Sequence, residues 1–484
     1  MHSRLITYLT GTLSTLLWLT SCQSDKTPVA PEGFQLHPDF RMERVAAEPL
    51  VYDPVDLEFD EYGRAYVLEM PGYPKSDVQS RLVYLQDEDK DGYFDGRLVV
   101  ADSLTVASSF MPYRGGFLVV APPQLVWIKD LNGDLVMDER QVILEGFDVG
   151  NLQHNANGLT YGLDNWIYAA NGGNDGAPFF AGTAGVGLNL RGEDFRFRIE
   201  EERLERVGES SGGFELAFDQ WGNMFETHNL EHVSQLVFPG RYLTGVPVKP
   251  EHSLTVISDH EENGLSRIYP VGEQETRVNH PEQSGYFSGA CGITFYGGNA
   301  FPEPFNNNLF VADVVLNLIH IDRLSPKGSA FQASRHREKV EFLASADRSF
   351  RPVNMTTGPD GALYIVDMYR DVIEHPEWIP DEIEVTLDLN AGKERGRIYR
   401  ISPRKNGREI RPRLNKEDPN SLVEALADPN QWTRLTAQRL IVESGDPAFA
   451  PLLEDLVQKQ TPLLDCFMLF GLCKGWEGYK MQCF

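Results

Sequence analysis

One hairpin pattern recurs along the chain, as LEFDEYGRAYVLEM from Leu57, LTYGLDNWIYAANG from Leu159, LAFDQWGNMFETHN from Leu216 and MTTGPDGALYIVDM from Met355. Each copy reads as an apolar strand, a tight turn built on Asp or Asn and usually Gly, and a second strand with an aromatic residue and a polar end. Two such strands cannot bury their own faces, so the copies must pack against one another around an axis. Weaker copies start near Ser108, where GGFLVVAPPQLVWIKD follows, and at Gly292, where GITFYGG leads to NNNLFVAD. The starts then fall near 57, 108, 159, 216, 292 and 355. This spacing predicts an all-β six-bladed β-propeller over residues 33–403, with inserts widening the later blades. A second repeat, LVYLQDEDKDGYFD from Leu82 and LVWIKDLNGDLVMD from Leu125, marks the first two blades as near duplicates.

Beyond the basic stretch PRKNGREIRPR the text changes character. Residues 414–484 open with apolar positions at helical spacing, Leu422, Leu426, Leu435, Leu440, Leu452, Leu453 and Leu456. Asp-Pro dipeptides at 418, 428 and 446 stand where helices start, because Asp caps free amides and Pro suits the first turn. The pattern suggests the first pairs of a HEAT-like α-solenoid. The last residues, LLDCFMLFGLCKGWEGYKMQCF, lose the charged helical pattern and read as a truncated or frame-shifted end, or else as a short amphipathic helix docking on the propeller.

Composition narrows the partners. With 44 Lys and Arg against 71 Asp and Glu, the formal net charge of −27 argues against nucleic acid as a partner. The cysteines Cys22, Cys291, Cys466, Cys473 and Cys483 form neither CxxC nor CxxCH, so no zinc knuckle or covalently attached haem is encoded. At the N-terminus, Arg4, the apolar run LITYLTGTLSTLLWLT and Leu19-Thr20-Ser21-Cys22 match a bacterial lipoprotein signal over residues 1–22. Cleavage leaves Cys22 as the lipidated first residue, anchoring the protein in the bacterial envelope on the periplasmic or outer surface. The alternative is an ordinary secretory signal. Residues 23–32 read as a polar tether.

Two acidic loops have the spacing of Ca²⁺ ligands. Asp87, Asp89, Asp91 and Asp95 alternate around Gly92, and Asp130, Asn132, Asp134 and Asp138 repeat the pattern in the next blade. Alternate oxygens converge as a backbone curls around a hard cation. Position 12 is Leu98 in one loop and Gln141 in the other, so neither completes an EF-hand, and a polar hairpin turn rich in Asp and Gly is the competing reading.

The candidate reactive centre is His154. It precedes the strand from Leu159, where an innermost strand opens at the mouth of the axial funnel, and a neutral imidazole there suits proton abstraction from an alcohol. Gln153, Asn155, Asn157, Asn171, Asn174 and Asp175 surround it in sequence. A satisfied structural histidine is the alternative. Corresponding strand ends supply His228, Asn229 and His232, then Asp313 and Asn317, Arg348 and Arg351, and Asp367, Tyr369 and Arg370. Guanidinium groups at a funnel bind planar carboxylates bidentately; each is otherwise a loop salt bridge.

The runs PEGFQLHPDF, AAEPLVYDPVDLEFDEYGRAYVLEMPGYP, GLDNWIYAANGG, GPDGALYIVDMYRDVIEHPEW and GRIYRI closely resemble the membrane-bound dehydrogenase domain abundant in Planctomycetes, Verrucomicrobia and Bacteroidetes. The match covers nearly all of 33–401. That domain is more distantly similar to the soluble quinoprotein glucose/sorbosone dehydrogenases, six-bladed propellers that bind pyrroloquinoline quinone (PQQ) and Ca²⁺ in the funnel. The resemblance implies an envelope-anchored oxidoreductase of sugars or polyols, with His154 as base, Arg351 at the cofactor and a c-type cytochrome taking the electrons; the converging strand ends add Arg348, His228, Asn229 and Asn317 as candidate cofactor-side groups. The chain departs from the quinoproteins at Phe214-Glu215, where they carry Arg-Asn, at Thr227-His228-Asn229, where they carry a Gly-Pro-Asn calcium turn, and at Ser349, where a second arginine is expected. No counterpart of their quinone-contacting lysine is found. A non-redox carbohydrate-binding propeller and a Ca²⁺-dependent hydrolase or lactonase are the alternatives.

Overall fold

The computed structural model describes residues 30–75, 78–243, 245, 247, 253–272, 280–405 and 414–458. The signal, Cys22 and the segment after 458 lie outside the described residues. Six antiparallel sheets follow one another along the chain, with innermost strands starting at Pro54, Ser109, Asn157, Leu216, Ala290 and Pro352. These are blades one to six. Every expected hairpin is the first strand pair of a blade.

Each sheet buries both faces against its neighbours. Tyr66 and Leu82 of blade one pack on Phe110 and Phe117 of blade two, and Leu118 and Phe147 of blade two on Phe195 and Phe197 of blade three. Trp166 and Tyr168 meet Leu216 and Met224, Phe225 meets Leu309 and Val311, Phe310 meets Ile365 and Ile401, and Val366 meets Leu57 and Val67. Ring closure is not consecutive in sequence. The N-terminal strand Phe40–Ala47 pairs with Arg397–Pro403 and is the outer strand of blade six, while Phe34–Leu36 edges blade five.

The Asp of each recurring turn closes the turn, and most of them hold a second strand as well. Asp60, Asp164, Asp219 and Asp360 accept backbone amides two residues on, closing the turn. Three of them also bind an arginine: Asp60 Oδ2 takes Arg64, Asp164 Oδ2 takes Arg196 at 2.8 Å, and Asp360 Oδ2 takes Arg400 at 2.6 Å. Arg400 also reaches Glu43 of the N-terminal strand at 3.0 Å, so one buried guanidinium pins the closing strand to the turn.

Helices Pro419–Ala425, Gln431–Ser444 and Phe449–Gln458 share a core of Leu422, Leu426, Ala437, Leu440, Ile441 and Leu453. Asp418 caps the first, as its Oδ1 accepts from Asn420 and Ser421. The second is capped by Asn430, two residues beyond the expected Asp428, because Asn430 also donates to the Gly358 carbonyl. This helix lies across the mouth opposite the funnel. Gln431 bonds Gly297 and Phe218, Gln438 bonds Leu163 and Asn165, and Arg439 pairs with Glu61 at 3.6 Å. A side chain at Gly297 would place its Cβ 2.7 Å from Gln431 Cβ, so the helix could not dock this closely on a larger residue. Among the described residues no helix is long and apolar enough to cross a membrane.

Replacing Arg400 with Met leaves Glu43 and Asp360 without their shared partner. Breaking such a buried pair costs about 3 kcal/mol. Urea denaturation is expected to show that loss, and an unchanged midpoint would mean the closing strand is held by its ladder alone.

Candidate functional site

Innermost strands run from the funnel mouth downward, so residues entering them and residues leaving the second strands line one opening. There they enclose a cavity of about 450 Å³. His154, His228, Asn229 and His280 line it together with Tyr73, Phe214, Met368 and Trp378.

His154 ends a short 3₁₀ turn, Leu152–His154, started by Asn151, whose side chain accepts from Gln153 N. Its Nδ1 lies 2.9 Å from the Gly172 carbonyl. A carbonyl only accepts, so Nδ1 carries the proton and Nε2 is the acceptor of the neutral ring. The surrounding asparagines build this geometry rather than lining the cavity. Asn174 Nδ2 donates to the Asn151 carbonyl and Asn155 Oδ1, Asn155 to Val106, and Asn157 to Asn155 and Gly213. Gly172 and Gly173 have φ of 75° and 115°; a Cβ on Gly172 would meet the Asn155 carbonyl at 2.2 Å. Only glycine lets the chain pass so close under the imidazole.

His228 and Asn229 reach the same cavity as His154. The other expected funnel groups are spent elsewhere. Arg351 is buried and donates to the backbone carbonyls of Arg370, Val314, Val315 and Asp371, tying loops of two blades; burial lowers its pKa to about 10. Asn317 donates to the carbonyls of Arg348 and Phe350, and Arg348 itself is exposed outside the cavity lining. Arg370 is buried against Asp53 at 2.7 Å. His232 is fully buried and shares Asp322 with His320, at 2.8 and 3.3 Å. Among the described residues the lining carries no lysine or arginine.

The polar ends of the second strands are loop clamps. Glu69 accepts from Tyr52 N, Glu226 from Ser211 N, Asp313 from the amides of Ser288, Gly289, Val315 and Leu316, and Asp367 from those of Arg351 and Tyr369. Burial raises Asp367 to about 7.

Below the cavity the axis narrows to a throat that sequence reading missed. Asn354 Nδ2 donates to Asp56 Oδ1 and Glu215 Oε2, both at 2.9 Å, and Glu58 stands beside them. Burial raises Asp56 to about 7 and Glu215 to about 8, and lifts Glu58 well above the carboxyl range. The available signal was an acid within an otherwise apolar inner strand, as in LEF and FEL. Cys291 also borders the cavity, but burial pushes its thiol up, away from thiolate chemistry.

The acidic loops lie on the opposite face, between the third and fourth strands of blades one and two. Ligand oxygens of Asp87, Asp89 and Asp95 come within 4.8 Å of one another, as do those of Asp130, Asp134 and Asp138. Asp91 is outside the first group and instead accepts from Tyr93 N. Asn132 is turned inward, donating to Asp138 Oδ1 at 3.1 Å.

The family model for a domain of unknown function, DUF7133, matches residues 28–405. The chain belongs to the DUF7133 family. None of the curated proteins matches it. Similar solved structures include the holo form of a pyranose dehydrogenase PQQ domain from Coprinopsis cinerea, with 12% identity over 78% of this chain and 99% of that one and a TM-score of 0.43. A soluble aldose sugar dehydrogenase from Escherichia coli is 14% identical over 75% and 100%, with a TM-score of 0.37. A luciferin-regenerating enzyme is 12% identical over 76% and 99%, with a TM-score of 0.38. The six-bladed architecture of the DUF7133 region stands on its own sheets and seams.

The throat makes stability depend on pH. The raised carboxyls of Asp56 and Glu215 hold protons that the unfolded chain releases near pH 4, so their contribution is complete below that and fades as pH climbs through about 7 to 8. Wild-type urea midpoints are therefore expected to fall between pH 5 and 8.5, and Glu215→Gln, which keeps an oxygen for Asn354, should make that fall shallower. Equal slopes would remove Glu215 from the titrating set.

Proposed function

We propose that the DUF7133 region is an oxidoreductase for hydroxyl-bearing substrates of sugar or polyol type, with His154 taking the hydroxyl proton. The observation that carries this reading is the imidazole held by the Gly172 carbonyl, on a residue lining the funnel cavity. Fixing Nδ1–H leaves Nε2 ready to accept a proton without reorganisation. His228 and Asn229 supply further polar groups for hydroxyls of the same ligand.

PQQ carries three carboxylates. A lining without lysine or arginine among the described residues does not fit such an anion, and the guanidinium of Arg351 is already saturated by carbonyls. The hydride leaving the carbinol carbon therefore needs an acceptor that suits these walls, an uncharged quinone, which is reduced as the hydroxyl is oxidised to a carbonyl. The same observation favours a second reading, a propeller that binds carbohydrate without turnover. Ca²⁺ in the two acidic loops is part of the proposal as a structural ion, supported by their converging carboxylates. On that face it does not reach the funnel, which counts against a Ca²⁺-assisted hydrolase using these loops. Lipid anchoring at Cys22, an envelope location, the start of a HEAT-type array after 414 and a c-type cytochrome as electron taker extend the proposal; their support is sequence pattern and resemblance.

The test is dye reduction by the full chain with aldoses and alditols, supplied in parallel with PQQ plus Ca²⁺ and with uncharged quinones. Turnover is expected with the uncharged acceptors, and His154→Ala should lower it by about 10²-fold or more. Sugar binding without dye reduction under any acceptor would leave the binding reading; a fully active His154→Ala protein would exclude the base.

A further inference from the structure

A second group of convergent donor atoms lies outside the funnel lining, where blades four and five meet. His232 precedes the third strand of blade four, Ser234–Leu236, while His320 and Asp322 stand on the third strand of blade five, Leu318–Lys327. All three side chains are buried, and one ligand atom from each lies within 4.8 Å of the others. Both Nε2 atoms turn to a single carboxylate, His232 at 2.8 Å from Asp322 Oδ2 and His320 at 3.3 Å from Oδ1. Phe287 stacks on the His232 ring at 4.2 Å and His320 meets that ring edge-on, so packing fixes both imidazole planes.

The far side of His320 is built as metal-bound imidazoles are. Its Nδ1 lies 2.6 Å from Glu341 Oε2, and Glu341 Oε1 accepts from Arg335 at 2.8 Å. A carboxylate only accepts, so this bond puts a proton on Nδ1 and turns the Nε2 lone pair toward Asp322. Two acceptors facing each other in a dry interior need a cation between them, either a second proton on the ring or a metal ion. The 3.3 Å separation is longer than a charge-assisted hydrogen bond. It matches the roughly 3.3 Å edge between two donors of one tetrahedral zinc ion.

We infer that His232, His320 and Asp322 bind one divalent ion of the zinc class, with Glu341 and Arg335 as its outer support, and that this ion ties blade four to blade five. Two imidazoles and a carboxylate are the donor set that class prefers, and the second Asp322 oxygen or a water completes it. Burial of all three side chains keeps substrates away, so the ion is structural. Blade four is where such a tie matters most. Its strands Leu216–Phe218, Met224–Glu226, Ser234–Leu236 and Leu254–Val256 are three residues long, and each of its ladders pairs only those three.

Metal analysis of the full chain, produced in zinc-supplemented medium and gel-filtered with excess Ca²⁺ to occupy exposed acidic groups, tests this. One zinc per chain is expected, and urea titration with EDTA should give a lower midpoint than titration with free Zn²⁺. Production with Co²⁺ instead should give the intense visible bands of a four- or five-coordinate ion. Asp322→Asn should lose the metal. Glu341→Gln, a milder change at the outer support, should loosen zinc about 10- to 100-fold in competition with a chelator. His154→Ala and His228→Ala, in the funnel, should keep it. Where Asp322→Asn does not fold, the wild-type cobalt spectrum and Glu341→Gln decide. A wild-type chain without zinc overturns the inference and leaves a second proton on His320 in the ion's place. Zinc lost on His154→Ala or His228→Ala, or held as tightly by Glu341→Gln as by wild type, overturns it by placing the ion elsewhere.

Discussion

A four-stranded sheet with two apolar faces cannot satisfy either by itself, and everything else in this molecule depends on how the ring that satisfies both is closed. Closure is made by one ladder, the N-terminal strand Phe40–Ala47 on Arg397–Pro403, with Arg400 binding Glu43 across it. The two ends of the domain are thereby joined within one blade, and the funnel acquires a fixed circumference. Positions such as His154 and Val353, on opposite sides of the axis, keep their separation only because this seam holds.

Within the ring, polar strand ends answer a local need before any functional one. The loop entering each blade has amides with no strand partner, and a buried amide without an acceptor is costly. Glu69, Glu226, Asp313 and Asp367 meet that need, and Arg351 meets the complementary need of four carbonyls. A carboxylate or guanidinium at a strand end near a cavity is therefore more often a loop clamp in this architecture than a ligand group. His154 escapes because Gly172 occupies only one of its two nitrogens.

This explains what could be read from the residues alone. Blade number and register were legible because each hairpin is local: the Asp of the turn, the alternation and the aromatic residue lie within fourteen positions. The place of His154 was legible for the same reason. The clamps were not, since Asp367 and Arg351 look identical in sequence whether they face a ligand or a backbone amide, and only the neighbouring blade decides. The apolar lining of the funnel was hidden differently. Val353 sits in a strand, and Met368 directly follows one, whose other apolar residues are core, and nothing local separates a residue facing the axis from one facing a seam. The closing strand was missed because its partner lies more than 350 residues away.

The throat links these observations into one electrostatic statement. Glu58, Glu215 and Asn354 line a chamber on the far side of the throat, beside Gln431, Trp432 and Arg439 of helix Gln431–Ser444, and Asp56 joins them through Asn354. As pH rises through about 7 to 8 Asp56 and Glu215 become charged, placing negative potential beneath a cavity that already offers no cationic wall among its described residues. An anionic ligand is then opposed twice, by missing partners at the wall and by like charge below. A neutral ligand is opposed by neither, and one of its hydroxyls can approach His154 Nε2 whatever the charge of the acids beneath.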